Sequence, residues 1–297
     1  MIRFFDGGMG SMLNLAAGEL PEKLNISEPE RVFAVHKGYA DAGAEFITAN
    51  TFGANSLKYD NVDELVKAGV ALAKKAGKYV ALDIGPTGKL LKPMGDLEFE
   101  RAVELFAEVV RAGKDGSDVA IIETMSDMYE LKAAVIAVKE NSDLPIITSM
   151  IFDESGRLLT GGDVKSAVAM LEGLRVDAIG FNCGLGPKQM IPLVKELREC
   201  TSLPILVMPN AGLPESVDGK TVYNVSPDEF AQDMREIAKL GVSILGGCCG
   251  TTPKHIAKMI ELCKDIPDNV PDKKNDTVVC SYSSAVTIGE KPVVIGE

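Results

Sequence analysis

Val242-Ser-Ile-Leu-Gly-Gly-Cys-Cys-Gly-Thr-Thr-Pro253 (VSILGGCCGTTP) joins an apolar run, a glycine-rich turn holding two adjacent cysteines, and a proline suited to open a helix. A short apolar run bounded by turn residues reads as a strand buried on both faces. Proline fits the first helical position, where its missing N–H costs nothing. The same order recurs upstream in DAIGFNCGLGP (177–187) and in PILVMPNAG (204–212). Further back it recurs in EFITANT (45–51), YVALDIGPTG (79–88), DVAIIET (118–124) and PIITSMIF (145–152), and first in IRFFDGG (2–8). Helical patterns separate these runs. The first follows Ser27, an expected N-cap, and Pro29, and ends near Ala42. Others cover 62–77, 97–113, 127–140, 163–174, 187–200, 226–241 and 253–264. The last but one follows a long loop containing Gly219.

Eight strand–helix units predict an α/β fold of the closed (β/α)8 TIM barrel type, with a C-terminal extension. An open doubly wound sheet would carry a glycine-rich phosphate loop after its first strand, and none is present. The barrel domain is expected to span residues 1–266. From Pro267 the sequence turns polar in PDNVPDKKNDT, and two short β-like runs follow Val278, so 267–297 reads as a linker or extension.

The chain of 297 residues carries a net charge of -12. That balance excludes the basic face that nucleic acid or an anionic membrane surface requires. No apolar run reaches the ~20 residues of a membrane span, and MIRFFDGGMG lacks a signal peptide's apolar core. The expected location is cytoplasmic. Six cysteines are too sparse for a disulfide scaffold, and clustered ones in a reducing compartment point to metal or catalytic use.

A barrel does its chemistry at the C-terminal ends of its strands. Those ends carry Asp6, Asn50-Thr51, Asp83, Glu123-Thr124, Asp153, Asn182-Cys183, Asn210 and Cys248-Cys249. Cys183, Cys248 and Cys249 are expected to hold one Zn²⁺, three thiolates leaving a fourth position for a small thiol. Adjacent residues on a regular strand face opposite ways. Both vicinal cysteines reach one ion only if the backbone leaves β geometry, which Gly246, Gly247 and Gly250 permit. The competing reading makes the cysteines small buried hydrophobes. That reading is preferred for Cys200, Cys263 and Cys280. A strained vicinal disulfide is disfavoured. His36 and His255 lie on helices and read as surface or packing residues. Asp6 and Glu123 suit a substrate ammonium, whereas Asp83 and Asp153 read first as partners of loop backbone.

DGGMG, ITANTFGAN, LDIGPTG, IIETMSD, GFNCGLGP, MPNAGLP and GGCCGTTP resemble, in order, the homocysteine S-methyltransferase family over residues 2–264. The resemblance is stronger to the N-terminal homocysteine-binding barrel of cobalamin-dependent methionine synthases than to betaine-homocysteine methyltransferases. It implies a zinc barrel that methylates the sulfur of L-homocysteine to give methionine. Carried over by motif, Cys183, Cys248 and Cys249 are the catalytic zinc ligands. Asp6, Gly7, Gly8 and Glu123 hold the amine and carboxylate ends of the substrate. Thr51 lines the same pocket, and Asn210 offers its amide oxygen to the open zinc position. The implied donor is methylcobalamin or another methyl-corrinoid. A corrinoid protein, or folate and cobalamin modules, would supply it, and PVVIGE (292–297) resembles the opening strand of such a folate barrel. The alternative is a stand-alone thiol or selenol methyltransferase using S-methylmethionine or a betaine-like donor. The absence of tryptophan disfavours an aromatic cage for betaine. A metal-storing barrel without activity and an α/β enzyme of another class remain the other readings.

Overall fold

A computed structural model describes residues 1–15, 18–217 and 220–289. Eight strands form one parallel sheet: β1 (Arg3–Phe4), β2 (Phe46–Thr48), β3 (Tyr79–Ile84), β4 (Val119–Met125), β5 (Ile146–Met150), β6 (Ala178–Asn182), β7 (Ile205–Met208) and β8 (Ile244–Leu245). Their order in space is β1-β8-β7-β6-β5-β4-β3-β2. The ring closes between its ends through the parallel bridge Phe5–Phe46 and a 2.9 Å bond from Glu45 N to Phe4 O. The molecule is therefore the TIM-type barrel that the alternation predicts.

Successive side chains of a strand face opposite ways, and here both faces are covered. Phe5, Ala81, Ile121, Ile147 and Leu206 pack together as one buried cluster, the filling of the barrel. Their neighbours Leu82, Ile122, Ile146, Ile205 and Val207 belong to the outer core beneath the helices. That double burial is why the strands read as unbroken apolar runs rather than alternating ones.

One long helix follows each strand: α1 (Pro29–Asp41), α2 (Val62–Ala76), α3 (Phe99–Gly113), α4 (Met128–Asn141), α5 (Val164–Gly173), α6 (Pro187–Cys200), α7 (Pro227–Lys239) and α8 (Pro253–Cys263). Asp127 caps α4 through the amides of Tyr129 and Glu130, and Asp163 caps α5 through that of Ser166. Ser27 is not the cap of α1. It closes a separate turn of helix, Leu24–Ser27, and Glu28 takes the N-cap position before Pro29. Among the described residues no helix is long and apolar enough to cross a membrane.

Besides short helical turns, a further helix and two hairpins lie outside the alternation among the described residues. A short helix, Met9–Leu13, follows β1. The loop after β7 carries a small antiparallel hairpin, Glu215–Val217 with Lys220–Val222; Gly219 lies outside the described residues. Beyond α8, Thr277–Cys280 and Ala285–Ile288 form a second hairpin. Lys165 Nζ of α5 donates to Thr287 Oγ1 at 2.7 Å, and Tyr282 OH donates to Asp127 Oδ2 at 2.7 Å. These bonds hold the hairpin on the outside of the barrel. A cavity of about 470 Å³ opens between it and α5. The PVVIGE segment (292–297) lies outside the described residues.

A candidate metal centre at the mouth of the barrel

Cys183 stands just beyond β6, and Cys248 and Cys249 just beyond β8. Cys183 has a φ of 58°, followed by Gly184 at 69°. This left-handed turn takes the chain off the strand line. After β8 the backbone bends through a turn in which Thr251 N donates to Cys248 O at 3.1 Å, and Gly250 has a φ of 78°. β7, between them, fixes the spacing. Cys183 N donates to Met208 O at 3.2 Å, Cys248 N to Pro209 O at 2.9 Å, and Ala211 N to Cys249 O at 2.9 Å. The three sulfurs consequently lie within 4.8 Å of one another, with Cys183 and Cys249 at 3.9 Å. This convergence of three thiols from two strand ends fits a soft divalent ion.

Without a metal the thiols share charge unevenly. Hydrogen bonds from Cys183 and Cys248 pull Cys249 down to about 3. At Cys183 the lowering by its bond with Cys248 is outweighed by its bond with Cys249 and by burial, and it ends at about 11. Cys248 is pushed up by its bonds with the other two thiols and by burial. Tyr223 also bonds Cys249, and its phenol is pushed up by burial and the charge of that sulfur.

Beside the sulfurs lies a pocket of about 250 Å³ lined by Asp6, Gly7, Gly8, Glu22, Asp83 and Glu123, among others. No basic residue is among the described residues lining it. Asp6 accepts from Thr48 Oγ1 at 2.7 Å and Thr48 N at 2.9 Å, yet burial still raises it to about 7. Glu123 is raised to about 8, by burial first and then by Asp6 and Cys249. Asp83 is pushed up by burial and by Glu123, Asp6 and Glu22, and its Oδ1 has no partner. A cavity with this lining favours a cation.

Of the residues singled out in the sequence, Asp6, Gly7, Gly8, Glu123 and the three cysteines meet at this pocket. Thr51 is fully buried, and its hydroxyl donates to Asp83 O at 2.8 Å, so it braces the loop rather than lining the cavity. Asn210 is buried between the two residues that bond Cys248 and Cys249, and its Oδ1 has no partner. Asp153 is exposed and accepts from Ser155 and Arg157 in its own turn. His36 is buried without a partner for either ring nitrogen, while His255 bonds Thr252 at the start of α8 and Val225 O. Asp83, read from the sequence first as a partner of loop backbone, instead faces the pocket, as does Glu22, which the sequence did not mark. Glu22 is held by Gly53 N and Tyr59 OH, each at 2.5 Å. A carboxylate closing an apolar strand was the available signal for Asp83; Glu22 lies in a short 3-10 turn, Pro21–Lys23, and had none.

The sequence model of the family described as homocysteine S-methyltransferase matches residues 3–263. A methionine synthase of Mycobacterium leprae (strain TN) is 31% identical over an alignment of 326 residues, and one of Mycobacterium tuberculosis (strain ATCC 25618 / H37Rv) is 30% identical over 325. Each alignment covers 98% of this chain, and the chain spans 27% of the relative. Among solved structures, the metallated form of the homocysteine methyltransferase MmuM from Escherichia coli superposes with a TM-score of 0.74 at 23% identity, covering 87% of this chain and 95% of that one. Its apo form does so at 0.69 and 25%, covering 88% and 95%. The match to the family model runs from the first barrel strand to the last barrel helix, and the chain belongs to the homocysteine S-methyltransferase family.

Proposed function

We propose that this barrel transfers a methyl group to the sulfur of L-homocysteine, giving methionine, at a zinc ion held by Cys183, Cys248 and Cys249. The observation that carries the reading is the meeting of three thiols with a pocket that four carboxylates and no described basic residue line, at the same end of the barrel. Bound there, zinc would supply deprotonation of the incoming thiol at neutral pH, where a free thiol of pKa ~8.5 is mostly protonated. The chain's own groups do the rest. Asp6 and Glu123 face the cavity as partners for the substrate ammonium, with Asp83 behind them. Gly7 and Gly8 bring bare backbone to the rim, and a side chain on Gly8 would meet Cys248 O at 2.6 Å. Asn210 presents an unpartnered oxygen beside the cysteine loop, suited to the fourth metal position until the substrate thiol arrives. Holding the two ends of the amino acid orients its sulfur toward the donor.

The proposed donor is a methylated corrinoid supplied by another domain or protein. The names of the mycobacterial relatives, and their length beyond the matched barrel, support it. A small donor such as S-methylmethionine or a betaine-like compound is the second reading. The near-complete coverage of a barrel-sized homocysteine methyltransferase supports that one.

Metal content of the purified, reduced protein, compared with Cys183→Ala and Cys249→Ala, tests the site. We expect one zinc per chain, lost in both variants, and one added sulfur neighbour by zinc X-ray absorption when homocysteine is titrated in. No zinc in the unaltered protein, or zinc retained in both variants, would sink the proposal. Methionine formation from methylcobalamin or from S-methylmethionine then separates the two donors.

A further inference from the structure

Asn182, the last residue of β6, is fully buried, and its amide is used on every side. Its Oδ1 accepts from Thr124 N and from Ser149 Oγ, both at 2.8 Å. Its Nδ2 donates to Thr124 Oγ1 at 2.7 Å and lies 3.9 Å from Cys248 Sγ. One side chain thereby meets β4, β5 and the cysteine loop after β8. An amide offers two donor hydrogens and two acceptor lone pairs, so this set leaves no capacity idle.

Thr124 has a φ of 60°, where a β-branched residue stays only if its surroundings hold it. Asn182 holds both its amide and its hydroxyl. The residue before it is Glu123, which faces the pocket. The amide that fixes this strained link, and with it the direction of Glu123, also turns a hydrogen toward the sulfur of Cys248. A neutral N–H donor stabilises charge on a thiolate without competing for the metal.

We propose that Asn182 is a positioning residue that couples Glu123, the carboxylate assigned to the substrate ammonium, to the metal ligand Cys248, keeping the amine site and the metal site in register. The inference rests on the zinc and homocysteine reading above. A purely structural asparagine would need only the bonds to Thr124 and Ser149; the second hydrogen, aimed at sulfur, is what extends its role to the metal.

Asn182→Ala and Asn182→Asp test it by three readouts: zinc affinity by chelator competition, the sulfur-to-metal charge-transfer bands of the cobalt-substituted protein, and homocysteine binding by calorimetry. Zinc affinity is expected to fall about 10- to 100-fold. The bands should shift, and the homocysteine Kd should rise about tenfold, with circular dichroism unchanged. Aspartate keeps the acceptor oxygen and the size of the side chain and loses the N–H donors, so it carries the test should the alanine variant not fold. Movement of the metal readouts alone, or of homocysteine binding alone, would make Asn182 a local prop and overturn the coupling. If the unaltered protein bound neither zinc nor homocysteine, the underlying reading would fall and this inference with it. Normal binding that both variants retain would sink the inference alone.

Discussion

Single residues in the pocket are placed for binding at the expense of stability. Asp6 and Glu123 titrate near 7 and 8 in the folded chain, above the ordinary carboxylate range, because burial resists their charge. The folded state therefore holds more protons than the unfolded one between about pH 4 and 8, and their contribution to stability is lost as pH rises through that window. Glu123→Gln should raise the melting temperature of the metal-free protein at pH 8 by several degrees while weakening homocysteine binding at least tenfold. Calorimetry of both quantities checks the trade. His36 acts in the opposite sense. Burial lowers it to about 4 with neither nitrogen bonded, so the unfolded state takes up the extra proton and stability falls from pH 6.5 toward 4. His36→Leu should remove that part of the acid slope and add about 1–3 kcal/mol at neutral pH by urea unfolding. The cysteines could be found in the sequence because their type and glycine setting are rare at strand ends. Asp83 and Asn182 could not be assigned, since a polar residue closing a strand looks the same whether it turns to a loop or to the barrel axis.

At the scale of elements, the loop after β7 shows how a segment with no apolar signature supports the site. Glu215, Ser216 and Thr221 of its hairpin are exposed, so no apolar periodicity betrays it in the sequence. Yet it leads into Tyr223, whose ring lies on Gly250: a Cβ there would come within 2.3 Å of the ring. With the positive φ of Gly250, this makes Gly250→Ala costly on two counts. We expect a loss of about 2 kcal/mol or more in stability and a clear loss of zinc affinity. Thermal unfolding and chelator competition measure them. The strands and main helices were legible because burial on two faces and the 3.6-residue period leave strong traces. The start of α1 was misjudged by one residue because Ser27, a good cap by type, is already spent in the preceding turn.

For the whole molecule, the barrel is a ring whose weakest seam lies between β1 and β2. One paired position, Phe5–Phe46, closes it there beside the Glu45–Phe4 and Thr48–Asp6 bonds, whereas β5 and β6 pair at four positions. A metal bound to Cys183, Cys248 and Cys249 would tie β6 to β8 across β7, remote from that seam. Removing it with a chelator should lower the melting temperature, because a ligand at 1,000 times its Kd adds about 4 kcal/mol. Amide exchange should quicken in β6 to β8 and change little at Phe4 and Glu45.

The spacing of those three cysteines along the chain also sets a timetable for biosynthesis. Cys249 stands 66 residues after Cys183, and β1, which leads to Asp6, lies between β8 and β2 in the ring. A nascent chain emerging from the ribosome thus exposes Cys183 long before its two companions exist. The N-terminal strand likewise waits, with one edge open, for the eighth. On the zinc reading, capture of the ion by all three thiols and closure of the ring both wait for the eighth strand and the loop that follows it.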